Sequence, residues 1–432
     1  MSSPPAAPRL LAYGVFALPL AMLSLPVYVH MPKFYQETFG VNLAALGLLL
    51  LLTRLADAAL DPWLGYWSDR AQARGHARLR WTGFALPLLM LGLWAMFVPP
   101  DVAPAAAALW LAASSLVVYC SLSMVQINYQ VHGAEMVSAP DQLTRVTAWR
   151  EAFTLCGILL GASLPAILAA DTAPRSAFAS LALIIVGLLA VCCGVTLAFS
   201  PKAPAATRQN APDSWRAALR RPLRQQAFRR LGLVFVINGT AAAIPATLVL
   251  FFVQDVLGLA HLTAHFLVVY FAAGALAMPL WPSLARRWGK ARTWRLSMWL
   301  ASGVFMWAAL LGPGEAATFF VICALSGLAL GGDLALPPAL LAELITQQDQ
   351  DGKTGSPAGA FFGWWALLTK LNLALAAGLA LPLVTWLGYR PSTEGSVAAG
   401  TFALTGCYAL LPCALKLLAA WLLGRPETAC KE

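Results

Sequence analysis

A chain of 432 residues that is 59% hydrophobic and 11% charged, with a mean hydropathy of +0.70, departs from soluble domains, where about 45–50% of residues are apolar and about 25% charged. This excludes an ordinary soluble enzyme or binding domain and predicts a polytopic membrane protein. The net charge of +10 does not point to nucleic acid, because the basic residues fall in short clusters between apolar segments, as retention of loops in the cytoplasm requires.

A spanning helix needs about 20 predominantly apolar residues, and the chain offers twelve such stretches. The first, Leu10–Val29, follows a single positive charge and no small-residue cleavage site precedes Lys33, so it reads as a retained span and not a signal peptide. The second, Val41–Trp63, holds Arg54, Asp57 and Asp61 at i, i+3 and i+7, which places all three along one helical face. Carboxylates inside a membrane mark a functional site, and two of them four residues apart raise each other's proton affinity, as a proton or cation site requires. The bland alternative for Asp57 is an ion pair with Arg54 that ties the helix to a neighbour. Asp69 and Arg70, in the turn that follows, are expected to gate between the second and third spans. Trp81–Val98, Ala105–Ile127, Ala148–Ala169 and Ala177–Phe199 complete the first six. Arg150, one turn inside the fifth, either contacts solute or reaches back to the phosphate headgroups.

The stretch from Ser200 to Arg230 interrupts the apolar pattern. Its first part is rich in Pro and Ala and loose; from Trp215 it mixes Arg with Trp, Leu and Phe at near-helical spacing, which predicts a helix on the cytoplasmic membrane surface. Six further spans follow: Leu231–Val253, Ala264–Trp281, Trp294–Leu311, Ala317–Leu341, Phe361–Leu387 and Gly400–Leu423. The tenth carries Asp333, and Gly331-Gly332 with Pro337-Pro338 predict a break in it near that level. The eleventh carries Lys370, preceded by Trp364 and Trp365, aromatic faces that either stack on a sugar ring or pack. At about 1.5 Å per residue, Asp61 and Asp57 lie roughly 12 and 18 Å inside from the turn at Asp69, and Asp333 and Lys370 about 15 Å from their helix ends. The four groups thus share a level at which a lone charge costs at least about 2.5–3.5 kcal/mol, so a water-lined cavity is expected there, with Lys370 opposite Asp333 or Asp57. Lys416, in the twelfth span, reads as a lysine that reaches the membrane surface.

With both termini in the cytoplasm, one face receives the Arg70–Arg80 cluster, Arg145, the Lys202–Arg230 group and Arg286–Arg295, and the other only Lys33, Arg175 and Arg390, which fixes the orientation. The halves echo each other, a turn and a basic loop after the second span recurring as PSLARRWGKART after the eighth. The expected organisation is therefore a six-helix bundle over 1–199, a cytoplasmic linker over 200–230 and a second bundle over 231–432, a transporter plan with the site at the repeat interface. The cysteines form no C-x-x-C and read as small core residues, apart from Cys430. The histidines suggest no metal site, and no nucleotide-binding loop is present.

On DAALDPWLGYWSDR with the basic ARGHARLRW after it, NYQVHGAE at Asn128–Glu135, DQLTRVTAWREAF, LPPALLAE and KTGSPAGAFFGWWALLTKL, in that order, the chain resembles the glycoside/pentoside/hexuronide:cation symporters, the melibiose-permease-like branch of the major facilitator superfamily. The resemblance implies an all-α fold of twelve transmembrane helices in two pseudo-symmetric bundles. It implies a coupling cation at Asp57 and Asp61, aided by the hydroxyl of Ser123, and roles in substrate or cation coordination for Arg150 and Lys370. Gln126 and Gln130 stand where the family's galactoside-binding carboxylate and tryptophan stand, and Leu60 replaces the Asn found between the aspartates of sodium-coupled relatives. Those departures speak against a galactoside and favour a proton over sodium.

The expectation is thus a monomeric secondary transporter of the inner or plasma membrane and not an enzyme, without a cofactor and with membrane lipids, a coupling ion (H+ or Na+) and a small solute as its partners. Coupling falls to Asp57, Asp61 and Ser123; solute binding to Gln126, Gln130, Arg150, Asp333, Lys370 and Trp364; gating to Asp69 and Arg70. A sugar or glycoside is the first reading of the solute. An amphipathic lipid-like solute is the second, and a non-transporting receptor or assembly factor with this fold the third.

Overall fold

Backbone crossing a bilayer must satisfy its hydrogen bonds internally, and the chain does so almost wholly as helix. The computed structural model describes residues 6–24, 26–73, 78–137, 139–169, 174–201, 214–350, 358–390 and 400–425. Arg74, His76, the loose linker part 202–213, Lys353 and Cys430 lie outside the described residues, as do the side chains of Arg78 and Arg80.

All twelve expected spans are helical. The first is segmented into α1 (Ala7–Gly14), α2 (Ala17–Met22), a π-turn over Pro26–His30 and α3 (Met31–Phe39). Then come α4 (Leu43–Ala73), α5 (Arg78–Phe97), α6 (Pro104–Glu135), α7 (Pro140–Ala169) and α8 (Pro174–Phe199). The basic amphipathic segment forms α9 (Trp215–Arg224). The rest is α10 (Gln226–Phe251), α11 (Thr263–Ala277) with α12 (Leu280–Trp288) as one interrupted span, α13 (Lys290–Phe305), α14 (Ala316–Gln350), α15 (Ala358–Trp386), and α16 (Thr401–Thr405) joined through a π-turn at Gly406–Leu410 to α17 (Leu411–Leu423). Among the described residues, seven helices are long and apolar enough to cross a membrane on length and composition alone. Others fall short because they carry charge, as α4 does, or are segmented.

The expected break in the tenth span is absent. α14 runs unbroken for 35 residues through Pro337 and Pro338. Its glycines serve close packing: a Cβ on Gly331 would stand 2.8 Å from the Trp281 indole nitrogen, and one on Gly332 2.6 Å from Ser297 Cβ. In α7, Gly157 and Gly161 play the same part, a Cβ falling 2.2 Å from the carbonyl oxygen of Leu18 and 2.4 Å from that of Met22 on α2. Lipid supplies no hydrophobic drive between helices, so small residues that admit a neighbouring backbone decide where helices meet. The outward faces are apolar, as with Leu48, Leu51, Leu52 and Leu55 on α4. Cys156 is exposed and Cys120 half-buried, so these two are not core residues; the other described cysteines are buried.

The chain divides into two compact units, Met1–Pro222 with Ile345–Leu367, and Leu223–Leu344 with Leu368–Glu432. In the first, α6 packs between α4 and α5, and α7 lies on α1 and α2. In the second, α17 packs on α10 and α13, and Lys290 on α13 pairs with Glu343 on α14 at 2.6 Å. Outside the helices of the first unit, Arg175 bonds Asp101, and that hydrogen bond and charge hold the Asp101 carboxyl below its ordinary range.

Candidate functional site

In the first unit, α4 and α6 face each other through three polar contacts. Ser123 Oγ donates to Asp57 at 2.9 Å, Ser68 Oγ donates to Asn128 Oδ1 at 2.7 Å, and Gln72 Nε2 donates to Glu135 at 3.2 Å. The spacing on α4 follows from the helix itself, since residues 57, 68 and 72 recur on one face. Asp57 is 4% exposed and Asp61, one turn on, is fully buried. Arg54, one turn before Asp57, is exposed, whereas Asp57 and Asp61 are buried. Tyr119, buried one turn before Ser123, feels the charges of both Arg54 and Asp57.

About two turns beyond Asp61 on α4, the carboxylate of Asp69 accepts the backbone N–H groups of Gly359 at 2.7 Å and Ala360 at 2.8 Å. These are among the unsatisfied donors at the start of α15, and an anion there answers both the free N–H groups and the helix dipole. The approach requires glycine on both sides: a Cβ on Gly65 would lie 2.1 Å from the Gly359 oxygen, and one on Gly363 2.5 Å from the Asp61 oxygen. Asp69 is bound to the start of the eleventh span, where backbone N–H groups without an intrahelical acceptor meet its carboxylate. Arg70 is exposed and donates to the Tyr66 hydroxyl on its own helix at 2.9 Å.

The remaining expected residues separate. Gln126 and Gln130 are half-buried on α6 and make no side-chain hydrogen bond among the described residues, so their amides remain available to a polar solute. Arg150 does not reach the headgroups: it is buried and pairs with Glu151 through Nε at 2.9 Å and a terminal nitrogen at 2.6 Å, beside Tyr13 and Tyr129. Trp364 is not a free stacking face; its indole donates to the Leu219 carbonyl at 3.0 Å and pins α9, whose Trp215 ring packs tilted against that of Trp63, centroids 4.6 Å apart. Lys370 is half-buried on α15 and is not the partner of Asp333.

That partner is Lys416, the lysine expected to reach the surface. Lys416 Nζ donates to Asp333 Oδ2, and at 3.0 Å to Asn238 Oδ1 on α10. Trp294 Nε1 and Ser297 Oγ, both on α13, donate to Asp333 Oδ1 at 3.0 and 3.3 Å. The ammonium and carboxylate side chains are 10% and 8% exposed and lie at the wall of a cavity of about 120 Å³. Its other walls are mostly apolar and aromatic, with Phe266, Tyr270, Phe271, Phe305, Phe319 and Tyr408 among them. Tyr408 is carried on the π-turn of the twelfth span and stacks on Phe252 at 4.1 Å. Sequence reasoning missed Lys416, Trp294, Ser297 and Asn238; the surplus of one carboxylate on α14 and one lysine on the twelfth span was the available signal for the pair.

Residues 10–426 match the family described as MFS/sugar transport protein. Among curated relatives, the inner membrane symporter YicJ of Escherichia coli is 25% identical over 268 residues, 59% of this chain and 56% of its own length. The mouse sphingosine-1-phosphate transporter MFSD2B is 21% identical over 397 residues, 85% of this chain and 78% of its own. Among solved structures, a bacterial homologue of the iron transporter ferroportin in the outward-facing state aligns with a TM-score of 0.69 at 16% identity, covering 96% of this chain and 97% of that one. A likeness at that identity speaks for the twelve-helix fold.

Proposed function

The chain belongs to the MFS/sugar transport protein family, in its melibiose-permease-like branch, and on that premise we propose that this integral membrane transporter is a symporter driven by a cation gradient, with Asp57 and Asp61 as the coupling site. One observation carries the reading: two carboxylates a helical turn apart are buried at membrane depth, and one of them is met by a hydroxyl from α6. Charges that costly persist where they do work. The coupling ion is a proton. Sodium needs a shell of several oxygens, and Leu60 contributes none, whereas a proton needs only one carboxylate. Ser123 orients Asp57, and Asp69 latches α15 to α4, a bond that forms and breaks in the alternating-access cycle.

For the solute, a small polar organic compound such as a sugar or glycoside fits the family's description and the open amides of Gln126 and Gln130. A second reading, an amphipathic solute, is favoured by the apolar and aromatic cavity of the second unit. MFSD2B, matched over most of this chain, is named for such a molecule.

The test is uptake into proteoliposomes from a panel of glycosides and amphiphiles, with proton and sodium gradients imposed separately. Accumulation that follows the proton gradient and collapses with an uncoupler is expected. Sodium-driven accumulation with the proton gradient collapsed would overturn the choice of ion.

A further inference from the structure

The geometry points to a second binding site, in the second unit: the Asp333–Lys416 pair takes up an organic anion with an apolar body together with one proton. The inference rests on the reading of the chain as a carrier of organic solutes and assigns the second unit's cavity a ligand class. A buried ion pair is electrically neutral, and in a low-dielectric setting a net charge added to it is expensive. The loads it accepts at low cost are therefore those that leave its charge unchanged.

The hydrogen bonds say where a proton would go. Asp333 Oδ1 already receives Trp294 and Ser297, while Oδ2 receives Lys416 alone. A proton on Oδ2 leaves Oδ1 held by two donors from α13, so the carboxyl stays in place and releases the ammonium. Lys416 then keeps Asn238 and has donors free for an anionic oxygen. The site begins as carboxylate and ammonium and ends as carboxylic acid and ammonium–anion pair, with no bond other than O–H formed and no net charge gained.

Facing the Asp333 carboxylate are Lys416 from α17 with Cys413 beside it, Tyr270 from α11, and Trp294 and Ser297 from α13. Ordinary thiols and phenols keep their protons at neutral pH. The cavity above supplies the rest: about 120 Å³ between aromatic walls, against about 150 Å³ for a cavity that binds benzene, holds a hydrocarbon body of five or six carbons. Carboxylates and phosphate monoester anions share this head chemistry.

The test is isothermal titration of the purified full-length protein in detergent, in buffers of differing ionisation enthalpy, with hexanoate, hexyl phosphate, hexan-1-ol and hexylammonium as probes. Binding of an anion with one proton taken up, and affinity rising about tenfold per pH unit fall, is expected; which anion binds identifies the head group. Asp333→Asn should bind the anion without proton uptake or pH dependence. Lys416→Met should lose binding, and Ala246→Phe, which fills the cavity wall and leaves the pair intact, should weaken it more than tenfold. Equal binding of the alcohol, anion binding without protons, or unchanged affinity in Ala246→Phe would overturn the assignment. No gradient is present, so loss of coupled uptake with this binding intact would indict only the transport reading, and the converse only this site.

Discussion

In the first unit the buried guanidinium of Arg150 is answered by its sequence neighbour Glu151; in the second, the ammonium of Lys416 is answered by Asp333 on another helix, 83 residues away. A pair within one helix moves as one piece and survives any shift between helices. A pair across α14 and α17 depends on their spacing and on the protonation of one oxygen. Asp57 is a third case, a carboxylate met by a neutral hydroxyl from α6. On the proposals above, buried charge in this protein has two uses: fixed within α7, and open to exchange where it joins helices.

The largest effect that would test the contrast is on stability. Lys416→Met strands the Asp333 carboxylate, and breaking one side of a buried pair costs about 3–5 kcal/mol. Thermal unfolding in detergent should show a large fall in Tm, with most of it recovered in Asp333→Asn/Lys416→Met. If the double variant is as unstable as the single one, the pair is not an independent unit. Ser123→Ala removes a hydrogen bond to a charged acceptor, worth about 1.5–3 kcal/mol, and should slow gradient-driven accumulation while the protein still folds.

Gly359→Ala forces a Cβ to within 2.4 Å of the Gly65 oxygen and 2.7 Å of Asp69 Oδ1. Overpacking of that kind costs about 1–3 kcal/mol, measured as a lower Tm and a reduced transport rate. The smallest effect belongs to the exposed Asp101, whose depressed proton affinity means that its bond to Arg175 is fully present above the ordinary carboxylate range and lost as pH falls through the lower folded value. Both groups are exposed, so Arg175→Gln and the native protein should give coincident curves of Tm against pH.

The span plan was legible because hydropathy and loop charge report directly on the bilayer, and Asp57 with Asp61 because a carboxylate there has no bland solvated reading. The pairing of charges was not. Depth predicts which residues share a level, yet it set Lys370 opposite Asp333 or Asp57 and Lys416 at the surface, since neither helix rotation nor helix neighbours can be read from one chain. Lys416 sits close enough to its helix end that depth alone favoured the surface; only the packing of α17 on α10 and α13 buries it. Asp69 was expected in a turn as a gate; it lies on α4, and its bonds to two backbone N–H groups carry no side-chain signal in the sequence.

The central claim is that Asp57 and Asp61 couple ion flow to solute movement. It is tested most directly by comparing, in the same proteoliposomes, gradient-driven accumulation with solute exchange at equilibrium for Asp57→Asn and Asp61→Asn. The account predicts that accumulation falls at least tenfold in both variants while exchange persists; accumulation at the native rate in both would contradict it.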